Sequence, residues 1–306
     1  MVACCITVQC NNMVTHGRNQ SDPYQAQWLY NCLMSIFPTL KTPYLLAHQG
    51  GEHLAPSNTM AAFAVAESIG VDFLDIDVHM SKDGHLVGIH DHTVDRTTNG
   101  HGRVDTYTLA ELQTLDAGYH FQDLQGNYSY RGKGVSIPAL EEVFNTYGAK
   151  YHLHFEIKDA YPKDGPSLIE EKLWTLIQKY AMEKRVIVGA FQQKIIERFQ
   201  QLSAGQVAVG AGTAEVAQFV VAHKLCIPGL YHQRSDVLEI PLRSYGINLK
   251  DRSLIERAHQ LDMQVYYWTI DDQPTMQELI ELGADGIFTN RPDLLKEVMS
   301  ETRAYS

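Results

Sequence analysis

Apolar and polar positions along this chain alternate in a strand-then-helix rhythm. Runs that are apolar or of period two at Tyr44–Ala47, Phe73–Val78, Leu86–His90, His152–Ile157, Val186–Ala190, Val207–Val209, Gly246–Leu249, Val265–Thr269 and Gly286–Thr289 predict nine strands. Helical spacing predicts helices over Met60–Ile69, Ile137–Phe144, Ser167–Ala181, Lys194–Leu202, Ala214–Ala222, Ser253–Leu261 and Pro274–Leu282. Pro56, Ser57, Asn58 and Thr59 supply turn and cap chemistry for the first helix, and Gly70 closes it. Strand and helix in strict alternation over about 250 residues imply an α/β fold with a parallel sheet and helical crossovers. That length suits a closed TIM (β/α)8 barrel. Nine strands is one too many, and Val207–Val209 is the weakest of them.

From Thr93 to Val135 the pattern loosens around R-T-T-N-G-H-G-R-V and Y-R-G-K-G-V. So long a connection in a compact domain points to an insertion over one mouth of the barrel, after the third strand. Residues 1–40 read as an irregular extension and residues 41–306 as the barrel, with the insertion at about 93–135.

Composition narrows the partners. The net charge is −11, from 25 basic and 36 acidic residues, with no clustered Lys or Arg, so a nucleic-acid partner is not expected. A small anion is still compatible, because a bound divalent cation can reverse the local field. The five cysteines (Cys4, Cys5, Cys10, Cys32 and Cys226) form no C-x-x-C pair and no disulfide framework. A reducing, cytoplasmic compartment is therefore expected. The run Trp28–Phe37 is broken by Asn31 and Ser35 and is too short to span a bilayer. It reads as an amphipathic segment packed on the barrel or resting on a membrane surface.

Reacting groups in such barrels come from the C-terminal ends of the strands. Here those ends carry His48, then Asp75 and Asp77, then His90 with Asp91, then Glu156 and Lys158, and later Trp268. Alternation puts Asp75 and Asp77 on one strand face, and His154 and Glu156 likewise. Three carboxylates from neighbouring strands make an oxygen-rich cage suited to Mg²⁺ or Ca²⁺. Two histidines beside it suit proton transfer at a phosphorus centre, one taking a proton and the other giving one. The plain alternatives are that Glu156 pairs with Lys158, that Trp268 is core, and that His79, His152 and His154 only pack strands.

These residues sit in motifs with a known likeness. A-H-Q-G-G with P-S-N-T-M-A-A-F, G-V-D-F-L-D-I-D-V-H-M-S-K-D-G, V-G-I-H-D-H-T-V-D-R-T-T-N-G, H-F-E-I-K, Y-Y-W-T-I and G-A-D-G-I-F-T-N-R-P come in this order between about Tyr44 and Leu295. The sequence resembles the glycerophosphodiester phosphodiesterase family, bacterial type. The resemblance implies hydrolysis of a small-molecule glycerophosphodiester to glycerol 3-phosphate and an alcohol. It also implies one divalent cation, Mg²⁺ or Ca²⁺, on Asp75, Asp77 and Glu156, with His48 and His90 as the acid–base pair. By the same likeness Lys158 and Gln49 would meet the phosphate, and Trp268 the glycerol. The chain departs from the family at Gln49, where Arg is usual, at Asp75, where Glu is usual, and at Ser57, where Glu is usual. Loss of the Arg removes a bidentate phosphate donor. Gln49 and Asp75 motivate one alternative, a weakened barrel that binds phosphodiesters or a partner protein without turnover; a third reading is a lysophospholipase D acting on longer lipids, with Trp28–Phe37 as its surface anchor.

Overall fold

The computed structural model describes residues 36–37, 40–162 and 167–304. The chain divides into compact units 1–38 and 39–306. The extension, its Trp28–Phe37 run and Cys4, Cys5, Cys10 and Cys32 lie almost wholly outside the described residues. Every strand and helix of the barrel belongs to the second unit.

Eight parallel strands form the barrel wall: β1 (Tyr44–Ala47), β2 (Phe73–Met80), β4 (His152–Ile157), β5 (Val186–Gly189), β6 (Ala208–Val209), β7 (Val237–Ile240), β10 (Gln264–Tyr267) and β11 (Gly286–Thr289). Their spatial order is β6-β5-β4-β2-β1-β11-β10-β7. A parallel bridge between Gly210 and Val237 joins the two ends, backed by the bond from Ala211 N to Val237 O at 2.8 Å. The TIM-barrel expectation holds, with two staves corrected. Leu86–Gly88 (β3) runs antiparallel on β2, Val78 facing Gly88, and is not part of the wall. The predicted Gly246–Leu249 strand is half of a small hairpin, β8 (Arg243–Ser244) and β9 (Ile247–Asn248), outside the barrel. The missing stave is β7, whose short V-L-E-I run is interrupted by Glu239. The weakest prediction, Val207–Val209, is a true stave.

The helices pack where their spacing directs. Helix α1 (Met60–Ile69) is capped by Thr59 Oγ1, which accepts from Ala62 N, and ends at Gly70 in left-handed backbone at φ 76°. Helix α2 (Leu109–Leu112) opens on a capping box of Thr108 and Glu111. The other helices are α3 (Leu140–Tyr147), α4 (Ile169–Lys179), α5 (Gln193–Ser203), α6 (Thr213–Lys224), α7 (Arg252–His259), α8 (Gln273–Leu282) and α9 (Pro292–Ala304). On α4 the buried Ile169, Leu173, Trp174 and Ile177 fall at i, i+4, i+5 and i+8, one face against the sheet. The insertion carries a satellite core of Val94, Val104, Leu112 and Ala117 packed with Val87 and Ile89 of the β3 region. That small core fixes the segment bearing His90 beside the barrel mouth. No helix among the described residues is long and apolar enough to cross a membrane.

Candidate active site

A cavity of about 670 Å³ opens where the wall strands end, and His48, Asp75, His90, Glu156, Lys158 and Trp268 all line it. Register explains much of this. Asp75 pairs with His154 and Asp77 with Glu156 across β2 and β4, so four polar side chains share two adjacent rungs.

The two histidines are oriented alike. His48 follows β1 in a short 3-10 turn, and its Nδ1 lies 2.7 Å from Asn290 Oδ1. The Asn290 amide nitrogen donates to Asp271 at 3.0 Å, so its oxygen is left to accept and His48 Nδ1 donates. His90 Nδ1 donates to Asp91 Oδ1 at 2.7 Å. Asp91 is held by Arg96 Nε at 2.7 Å, and Arg96 also reaches Glu52 at 3.0 Å. Nε2 of His90 is thereby left for proton transfer, and Nε2 of His48 is turned to the cavity side with the Gln49 side-chain nitrogen 3.5 Å away. Buried His79 donates from Nε2 to the His90 carbonyl at 3.0 Å and accepts from Tyr161 at 2.5 Å. Burial pushes His79 down to about 4, which suits this neutral role. At His48, burial disfavours the charged ring, but Asp75, Asp77, Asn290 and Glu52 outweigh it and raise its proton affinity above the ordinary 6.5.

The carboxylates are tied to protein donors. Asp77 Oδ2 accepts from Asn58 Nδ2 at 2.7 Å, and Asn58 Oδ1 accepts from Asp77 N at 2.9 Å. Lys158 Nζ stands 2.8 Å from Asp77 Oδ1 and 2.6 Å from Glu156 Oε1. Burial works against the Asp77 charge, but Lys158, His90 and His48 hold its carboxyl below the usual range. Burial lifts Glu156, and Lys158 only partly offsets this because Asp77 and Asp75 add repulsion. Lys158, although buried, is held above its ordinary value by both acids. The pairing of Glu156 with Lys158, the plain alternative read from the strand face, is present.

Asp75 is engaged on both oxygens. Oδ2 accepts from Gln49 N at 3.2 Å, and Oδ1 meets His154 Nδ1 at 2.6 Å. His154 Nε2 in turn meets Glu239 Oε1 at 2.8 Å. Burial disfavours charge on His154, yet Glu239 and Asp75 raise its proton affinity well above the ordinary value. As arranged, the site does not fit the expected cation. An ammonium sits between Asp77 and Glu156, Asp75 Oδ1 is held by His154, and no three His, Cys, Asp or Glu side chains among the described residues are grouped to hold a metal.

Gln49, expected at the phosphate, is buried with left-handed backbone at φ 53° and does not line the cavity. Its side-chain nitrogen lies 3.5 Å from His48 Nε2, and its Oε1 has no hydrogen-bond partner among the described residues. Trp268 is half-buried and stands edge-to-face with Phe191 at 5.7 Å on the cavity wall. Sequence reasoning read Asn58 as turn and cap chemistry and His79 and His154 as strand packing, and passed over Asn290 and Glu239. The one available signal was that His154 shares a strand face with Glu156.

Residues 48–294 match the glycerophosphoryl diester phosphodiesterase family. The chain belongs to that family. A glycerophosphodiester phosphodiesterase of Caldanaerobacter subterraneus subsp. tengcongensis is 34% identical over 82% of this chain and 95% of its own length. One from Bacillus altitudinis is 30% identical over 85% and 99%. Among solved structures, a glycerophosphodiester phosphodiesterase from Agrobacterium tumefaciens shares the fold at TM-score 0.65 and 24% identity, over 84% of this chain and all of that one. An Oleispira antarctica phosphodiesterase in complex with the product sn-glycerol-3-phosphate does so at TM-score 0.63 and 24%, over 84% and 97%. These four relatives share a phosphodiesterase name, and the two solved ones share this barrel.

Proposed function

We propose that this chain, an enzyme of the family, hydrolyses glycerophosphodiesters to sn-glycerol 3-phosphate and an alcohol. The observation that carries the reading is the pair of histidines, each donating Nδ1–H to a fixed acceptor and each lining the same cavity. Hydrolysis at phosphorus needs a proton taken from the attacking water and one given to the leaving alkoxide. His48 and His90 supply both, and the raised proton affinity of His48 suits it to the donor's part. Lys158 is the cation nearest the reacting phosphate in this reading, and Trp268 with Phe191 gives an apolar face for the glycerol carbons. A cation on Asp77 and Glu156 would have to displace the Lys158 ammonium. Cytoplasmic residence belongs to the same reading and is supported by cysteine usage alone.

Purified protein should release sn-glycerol 3-phosphate from glycerophosphocholine, and His48→Ala or His90→Ala should abolish the release. A wild-type protein inactive on several headgroups, with Mg²⁺ or Ca²⁺ and without, would falsify the assignment.

One observation favours a second reading, headgroup release from lysophospholipids. Apolar Val216, Pro241 and Leu249 line the cavity beside Thr213, Arg243 and Ser244, and the lining residues Phe191 and Tyr245 are 52% and 99% exposed. An acyl chain could lie along such a wall. Choline release from lysophosphatidylcholine faster than from glycerophosphocholine would select this reading.

A further inference from the structure

One rung of the barrel lumen is ionic where a TIM barrel is ordinarily filled with branched apolar side chains. Asp75 of β2, His154 of β4 and Glu239 of β7 run across it in a line, with contacts of 2.6 and 2.8 Å. Asp75 and His154 are 2% exposed. Ionised carboxylates only accept, so a ring meeting a carboxylate at each nitrogen donates from both and is an imidazolium. Asp75 and His154 are buried and Glu239 is half-buried; charges so placed are costly unless mutually paired, and removing one leaves the others stranded.

The wall is also shaped around this line. A Cβ on Gly210 would lie 2.5 Å from Glu239 Oε2, and one on Gly189 would lie 2.9 Å from Glu239 Oε2 and 3.0 Å from His154 Nε2. Both strands next to β7 and β4 therefore carry glycine where the lumen must admit the carboxylate and the ring. Phe288 closes the other side, its ring centroid 4.9 Å from that of His154.

The far end of the line faces the reacting groups. The second Asp75 oxygen takes the N–H of Gln49, the residue after His48, and Asp75 shares the cavity wall with His48 and His90. Asp75 is one methylene shorter than the Glu usual in the family, which leaves room for an imidazole between it and Glu239.

We propose that His154 and Glu239 are positioning residues of this phosphodiesterase: they hold Asp75 as the charged neighbour of His48 and keep it out of a metal cage. This rests on the reaction assigned above. Asp75 therefore acts on the acid–base pair, and Glu239 governs it from across the barrel without touching the substrate's phosphorus.

The test uses the full chain and kinetics on glycerophosphocholine. Glu239→Gln keeps the shape and an acceptor but removes the charge. Its kcat should fall about 10- to 100-fold, the range for supporting residues of reactive groups. KM should change less than kcat, since Glu239, although it lines the cavity, acts on the reaction through Asp75. The double variant Glu239→Gln/Asp75→Asn should be no slower than Asp75→Asn alone, because the two act through one group. Gly210→Ala, which crowds the carboxylate from behind, should lower kcat in the same direction. Unchanged kcat in Glu239→Gln, or losses that multiply in the double variant, would overturn the proposal.

Proton NMR gives a readout independent of turnover. The wild type should show two downfield ring N–H resonances from His154, one lost in Asp75→Asn and one shifted in Glu239→Gln. Absence of both in the wild type overturns the line itself. Their presence in a protein that turns over no glycerophosphodiester overturns the assigned reaction instead, and with it the positioning role.

Discussion

Asn290 accepts the Nδ1 proton of His48 at 2.7 Å, although the two residues are 242 positions apart in the chain. The contact spans β1 and the end of β11, which pair in parallel with Ala47 opposite Thr289. It fixes both the tautomer and the aim of the ring, and Asp271 holds Asn290 in turn through its backbone and side-chain amides at 2.7 and 3.0 Å.

Removing that acceptor should cost turnover more than folding. Asn290→Ala is expected to lower kcat about 10- to 100-fold, as for other residues that orient a reactive imidazole. Steady-state kinetics on glycerophosphocholine beside a thermal melt separate the two effects. A drop in melting temperature with kcat intact would reject the orienting role.

Asp91 should matter in the same way for His90. Asp91→Ala removes the Nδ1 acceptor and strands Arg96, which spans Asp91 and Glu52. We expect a lowered kcat with little change in stability, because the cluster is partly exposed and such ion pairs contribute about 0–1 kcal/mol. Denaturant midpoints and kinetics measured together check this.

Restoring the usual glutamate at position 75 should not help this chain. His154 Nδ1 already lies 2.6 Å from Asp75 Oδ1, so an added methylene must either crowd that ring or push the carboxylate out into the cavity. Asp75→Glu is expected to destabilise by about 1–3 kcal/mol, the ordinary range for overpacking. Urea unfolding measures it, and a stabilised, more active variant would contradict the tied arrangement.

The bottom of the barrel carries a pH-sensitive contact. His259 Nε2 meets Asp285 Oδ2 at 2.7 Å, and Asp285 also accepts from Val265 N at 2.8 Å. Burial disfavours the imidazolium, but the hydrogen bond and charge of Asp285 outweigh it, so the folded pKa lies above 6.5. A raised histidine contributes stability that is full below its unfolded pKa and is lost as pH rises through the folded one. The stability gap between wild type and His259→Gln should therefore shrink as pH rises from about 6 to about 9. A gap that widens over that range would reject the assignment.

The wall of the barrel and its reacting ends were largely legible in the chain. Local periodicity reports whether a segment has one apolar face, and β1, β2, β4 and β11 announce themselves that way. His48, Asp75, Asp77, His90 and Glu156 stand at the ends of apolar runs, where this architecture collects its chemistry, so their types and places could be read in order. Three things could not. Leu86–Gly88 has the composition of a stave, but its direction depends on the short Asp83-Gly84 turn folding it back on β2. Val237–Ile240 is a stave whose pattern is broken by Glu239, because a carboxylate meant for the lumen looks like a loop residue until its partner is known. His154 reads as strand packing until Asp75, 79 positions before it, and Glu239, 85 positions after it, meet its two nitrogens. Sequence alone determined which groups stand ready at the strand ends. Only closure of the barrel decided which of them pair, because a charge's cost and its partner are set by distance through the lumen and not along the chain.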